Sequence, residues 1–217
     1  GARLFTVFIF VSMLAYFTQE LILEPFAGHV FGMSVGETTT LASRHKGGIF
    51  VGMIAVALLG SAVGGRILGS LKLWVVAGCV GSAAALGGLA AAGFSGGVWP
   101  LHLNVLALGL FNGMFAVAAI GQMMALANAQ APGREGARMG LWGAAQALAF
   151  GVGGLVGTAS VDVMRLATGD IRLSYAAVFA AEGALFLAAA AMALRLGAAR
   201  APRRAPDPRA AAMMAGE

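Results

Sequence analysis

The chain has 217 residues, of which 59% are hydrophobic and 11% charged, and its mean hydropathy is +0.86. That composition excludes a soluble globular domain and points to an integral membrane protein. The formal charge of +5 does not imply a nucleic-acid partner, because the basic residues fall mostly in the tail and short connections, as cytoplasmic flanks do.

Six helices are predicted in chain order, at about 4–31, 47–64, 73–94, 101–126, 139–160 and 175–194, each long enough to span a bilayer. The second has an alternative start at Leu41. Together they form a six-helix transmembrane bundle over 1–194, and 195–217, rich in Ala, Pro and Arg, is expected to be a disordered cytoplasmic tail. The chain does not begin with Met and enters an apolar run by Leu4 with no signal-peptide pattern, so it is expected to be part of a longer protein.

The first helix carries the chain's most unusual stretch. Its apolar run, 4–17, is 14 residues, or roughly 21 Å against a hydrocarbon core of roughly 30 Å. To span, the helix must continue through Gln19 and Glu20 towards Glu24, so these groups lie in the outer bilayer or at its edge. Glu20 and Glu24 share one face. His29 lies about 140° round from Glu24, so one pocket on a straight helix does not easily take both glutamates and the histidine. Pro25 frees the Leu21 carbonyl and predicts a kink. A charged carboxylate facing lipid costs about 2.5–3.5 kcal/mol at the midplane, so these acids must face protein, find partners or be protonated. The plainer alternative is an interfacial helix end at Glu24-Pro25, with Glu20 bonded to a neighbouring helix.

Residues 32–40 then break the helix, and 66–72 form a short turn. Trp99 follows the third helix as an interface anchor, and His102 beside it is expected to serve the same way. His45 is expected in a solvated loop. Small residues recur at four-residue spacing in Gly60/Gly64, Gly109/Gly113, Gly143/Ala147/Gly151 and Gly153/Gly157. Such faces bring helix backbones together or offer a smooth wall to a flat ligand. Asn112, Gln122 and Gln146 are further polar groups inside predicted helices. Asn112 and Gln146 are expected to hydrogen-bond between helices. Glu182 sits roughly 10 Å deep in the last helix, where no Lys or Arg is at hand. It is expected to be neutral or bonded to an amide such as Gln122 or Gln146.

Arg3, Arg66, Lys72, Arg134, Arg138, Arg195, Arg200, Arg203, Arg204 and Arg209 collect on one side, and Arg44, Lys46, Arg165 and Arg172 on the other. That asymmetry places both termini in the cytoplasm. No phosphate-binding glycine loop, zinc-spaced His/Cys cluster or Ser-His-Asp set is present, so an enzyme is not expected. The lone cysteine, Cys79, lies in an apolar run without a partner for a disulfide or cluster.

The stretch Gln19-Glu20-Leu21-Ile22-Leu23-Glu24-Pro25-Phe26-Ala27-Gly28, running into Phe31-Gly32-Met33-Ser34-Val35-Gly36-Glu37-Thr38-Thr39, resembles the bacteriochlorophyll delivery proteins of the PucC/LhaA family, a branch of the major facilitator superfamily. The resemblance implies an all-α membrane protein whose six helices match the C-terminal half of a twelve-helix fold. The missing N-terminal half, the lipid bilayer and light-harvesting antenna polypeptides would be its partners. It further implies an assembly factor that delivers or chaperones bacteriochlorophyll, as cargo rather than resident cofactor, in a bacterial inner photosynthetic membrane. The connection 64–72 departs from the superfamily pattern, since it keeps glycines and basic residues but has no Asp.

On that reading Glu20, Glu24 and His29 supply polar contacts, and a carboxylate or imidazole ligates the pigment's magnesium, a hard cation that favours oxygen donors. Gln19, Pro25, Asn112, Gln122, Gln146 and Glu182 complete the candidate ligand-binding set, with no resident metal. The alternative is a proton-coupled facilitator-type transporter of a small solute, with Glu20, Glu24 and Glu182 carrying protons. A third reading is a structural antenna subunit that binds no pigment.

Overall fold

A computed structural model describes residues 2–61, 70–95, 97–130 and 135–198. Most of the turn expected at 66–72, Gly64 before it, and the tail beyond 198 lie outside the described residues. Among the described residues six helices run in order: α1 (Ala2–Phe31), α2 (Val35–Ser61), α3 (Leu71–Ala92), α4 (Leu101–Gln130), α5 (Glu135–Thr168) and α6 (Ile171–Ala198). Among the described residues four segments, Leu71–Ala92, Leu101–Gln122, Gln146–Thr168 and Ile171–Arg195, are long and apolar enough to cross a membrane. The chain is an all-helical, multi-pass membrane protein.

The link between α1 and α2 is much shorter than expected, and its chemistry explains why. Gly32 adopts φ +67°, a left-handed conformation that suits glycine after a helix end. Its N–H bonds the Gly28 carbonyl at 3.1 Å, and the Met33 N–H bonds the Ala27 carbonyl at 3.3 Å. Ser34 then starts α2. The Glu37 carboxylate accepts from the Ser34 N–H and hydroxyl at 2.8 Å each, and the Glu37 N–H reaches the Ser34 hydroxyl at 3.4 Å. This is a reciprocal capping box. Helix α2 therefore opens at Val35, not at Gly47 or Leu41, and the polar stretch expected to be a break is helix from there on.

Other ends also extend past expectation. Helix α5 continues to Thr168, Gly169 turns the chain at φ +67°, and Asp170 caps α6 by accepting from the Arg172 N–H at 2.8 Å. The sequence between the fifth and sixth predicted helices, 162–174, reads as a polar connection that is partly helical, and it is mostly helix. Helix α6 runs on to Ala198, so residues 195–198, assigned to a disordered tail, are helical. Pro25 lies inside α1, which continues through it to Phe31.

The helices pack as two groups. Helix α2 lies on α4 and α4 on α3, while α1 lies on α5 and α6; α3 against α6 joins the groups. Reciprocal glycines bring α2 and α4 together. A Cβ at Gly48 or Gly52 would run into the α4 backbone at Leu106 and Leu110, and one at Gly109 or Gly113 into the α2 backbone at His45 and Ile49. Gly153 and Gly157 face α1 at Phe17 and Thr18. Around these contacts a core of aromatic rings meets edge to face, with Phe26 on Phe179 at 4.9 Å and Phe115 on Phe186 at 5.9 Å between centroids.

Candidate functional site

Helix α1 distributes its polar stretch over three directions. Gln19 points into the bundle and is 1% exposed, with neither amide atom hydrogen-bonded among the described residues. Glu20 is partly buried and forms an ion pair with Lys46 of α2. Glu24, one turn on, is exposed, as is Pro25. His29 reaches the opposite way, its Nδ1 2.9 Å from the Tyr175 hydroxyl on α6. The interior is therefore faced by Gln19, and not by Glu20 and Glu24 as their depth suggested. The helical spacing that separates His29 from the glutamates is realised as contacts to two different neighbours.

A second polar cluster ties α2, α3 and α4. The Ser82 hydroxyl donates to Asn112 Oδ1 at 2.8 Å, and Asn112 Nδ2 lies 3.2 Å from His45 Nε2. Asn112 is 0% exposed and His45 3%. Each helix contributes one group, so the three apolar surfaces meet in a fixed register. The interhelical role expected of Asn112 is seen directly. His45 is corrected from a solvated loop to the buried face of α2. Its neighbours Arg44 and Lys46 are both exposed, as the 100° step of a helix requires.

Gln122 and Gln146 are half-buried and are not drawn into either cluster. Glu182 is 2% exposed, and neither carboxyl oxygen has a hydrogen-bond partner among the described residues, so the amide partner expected for it is not found. Its side chain lines a cavity of about 530 Å³ between α1, α5 and α6, with Leu14, Thr18, Val163, Met164 and Ala181.

A smaller hollow, about 480 Å³, lies at the start of α4, where Arg44, Trp99 and His102 gather. The His102 Nδ1 there is buried without a partner among the described residues, and the Trp99 ring N–H donates to Asn104 Oδ1 at 3.3 Å. Among the described residues no three His, Cys, Asp or Glu side chains group to hold a metal ion. The sequence reading missed Lys46, Ser82 and Tyr175 as partners. Lys46 alone left a signal, as a cation near the bilayer edge where Glu20 needed one.

The small-residue faces divide. Gly109/Gly113 and Gly153/Gly157 are consumed by helix packing, whereas a Cβ at Gly143 or Gly151 would meet nothing within 4 Å. That stretch of α5, with the exposed Ala147 between them, is an open, smooth wall.

A family model described as PUCC protein matches residues 1–201. The chain belongs to the PucC family. It is 53% identical over 216 residues to the "Bacteriochlorophyll synthase 44.5 kDa chain" of Rhodobacter capsulatus, covering 100% of this chain and 48% of that protein. It is 33% identical over 207 residues to "Protein PucC" of Cereibacter sphaeroides, covering 91% of this chain and 42% of that one. An "Uncharacterized protein in puhA-bchM intergenic region" of Rhodobacter capsulatus is 32% identical, with 88% and 40% covered. This PucC-family chain spans less than half the length of these relatives. No solved structure matches it.

Proposed function

We propose that this chain is one six-helix half of a membrane assembly factor that delivers bacteriochlorophyll to nascent light-harvesting antenna, or chaperones that assembly. The observation that carries the reading is 53% identity along the whole chain to a relative whose name places it with bacteriochlorophyll. The fold adds support. Glu24 is exposed on α1, one turn from the Glu20–Lys46 pair, and the Gly143/Ala147/Gly151 wall of α5 is open. A carboxylate oxygen on that surface is a ligand suited to magnesium, and a smooth helix face suits a flat ring.

The role is non-catalytic on this reading, since the polar groups that the fold joins are ties between helices. All six helices cross the inner photosynthetic membrane in a facilitator-type half, with both termini cytoplasmic. The other half and the antenna polypeptides are its partners.

The test is near-infrared absorbance of cells complemented with the full-length gene. Glu24→Gln keeps shape and removes charge, so the protein should stay in the membrane while antenna absorbance falls. His29→Ala should do less, because His29 is engaged with Tyr175. Full antenna levels in both Glu24→Gln and Glu20→Gln would overturn this site.

A further inference from the structure

The walls of the cavity between α1, α5 and α6 are mostly aliphatic, and Thr18, Ser160 and Glu182 are the polar residues among them. Leu14, Val163, Met164 and Leu185 supply aliphatic surface, and neither an aromatic ring nor a basic side chain is among the residues that line it. Its volume, about 530 Å³, falls in the range of small-molecule sites, about 300–1,000 Å³. Thr18 already donates its hydroxyl to the Leu14 carbonyl at 2.7 Å. Glu182 is different, a carboxyl 2% exposed with both oxygens unpartnered among the described residues and set in the cavity wall.

A buried carboxyl left without a partner is costly, so an occupant that completes its hydrogen bonding is favoured. That occupant must be mostly apolar to suit the walls. A bare cation does not fit, because calcium or magnesium takes about six or more oxygens and this wall offers few. A flat macrocycle would find no ring to stack on. Val156 and Val163 on the α5 side are 43% and 62% exposed, so the cavity opens sideways along α5 and admits a long chain.

We propose that this cavity is a binding site for a chain-like lipophile, isoprenoid or acyl, whose alcohol or ester oxygen hydrogen-bonds the Glu182 carboxyl. The site is separate from the Glu20–Glu24 surface and stands whether or not the chain handles pigment. An isoprenoid tail and a membrane lipid are two sources of the same chemistry.

The full-length protein in dodecyl maltoside micelles would be photolabelled with two diazirine probes, one a geranylgeraniol analogue and one a palmitoyl phosphatidylglycerol. Labelled peptides are mapped by mass spectrometry. Label is expected on the α5 and α6 wall around Val163 and Leu185. Competition by unlabelled geranylgeraniol marks the isoprenoid source, and competition by added phosphatidylglycerol the lipid source.

Ala181→Phe fills the cavity and should abolish wall labelling. Glu182→Leu should cut it about tenfold, the worth of one good buried hydrogen bond. Glu182→Gln should keep it, since an amide both donates and accepts. Membrane yield and melting temperature of each variant separate loss of binding from loss of fold. Wall labelling undiminished in well-folded Ala181→Phe and Glu182→Leu would overturn the site, as would label confined to the outer surface. Antenna levels play no part in these readouts, so failure here is distinguishable from failure of the delivery role.

Discussion

Lys46 of α2 closes an ion pair on Glu20 of α1 across a helix pair that otherwise touches sparingly. Lys46 is 58% exposed and Glu20 22%, so solvent and salt weaken the attraction. A double-mutant cycle with Lys46→Met and Glu20→Gln should return a coupling of about 0.2–1 kcal/mol, read from thermal unfolding in detergent and shrinking at high salt. A coupling of zero at low salt would remove the pair as a link between α1 and α2.

The reciprocal glycines of α2 and α4 are a sharper test of the fold. Gly109→Leu puts a side chain where the His45 backbone lies, and should destabilise by about 3 kcal/mol through overpacking. Gly143→Leu, on the open face of α5, should stay within about 0.5 kcal/mol of the parent. Melting temperature in detergent separates the two, and equal effects would contradict this packing.

Removing the Asn112 side chain breaks contacts to both Ser82 and His45. Asn112→Leu should cost more than Ser82→Ala. Each interhelical hydrogen bond in a membrane is worth about 0.6 kcal/mol on average, and His45 would be left buried with its partner gone. Equal melting temperatures for the two variants would argue against a three-helix cluster.

The start of α2 should depend on pH. The Ser34 backbone N–H, and then its hydroxyl, hold the Glu37 carboxyl below the usual carboxylate range. Because the folded value is lowered, this contribution is present above the unfolded value, about pH 4.3, and is lost as pH falls through the folded one. Hydrogen exchange at residues 34–38, corrected for intrinsic rates, should speed up on acidification. Glu37→Gln should flatten that dependence.

The long apolar helices were legible because composition and length alone demand them, and the starts of α3 and α4 fall within two residues of expectation. The start of α2 was not. A run of Gly, Ser and Thr reads as loop, yet Thr39 and Thr40 turn their hydroxyls onto the Val35 and Gly36 carbonyls at 2.8 and 2.9 Å and so hide their polarity within the helix. The same shift carried His45 from an expected loop to the core. On α1, periodicity correctly separated His29 from the glutamates. Which face turned inward depended on α5 and α6, and periodicity holds no record of neighbours. Glu182 was legible as a deep acid without a cation. The cavity beside it, where α1 meets the distant pair α5 and α6, was not.

The three-residue link between α1 and α2 has a consequence for length variation. One residue inserted between Phe31 and Val35 would advance α2 by about 1.5 Å and turn it by about 100° if the helix kept its seat. Lys46 would swing off Glu20, and Gly48 and Gly52 would leave the α4 backbone. The turn therefore works as a gauge that sets the phase of α2, and insertions tolerated in natural relatives should fall elsewhere.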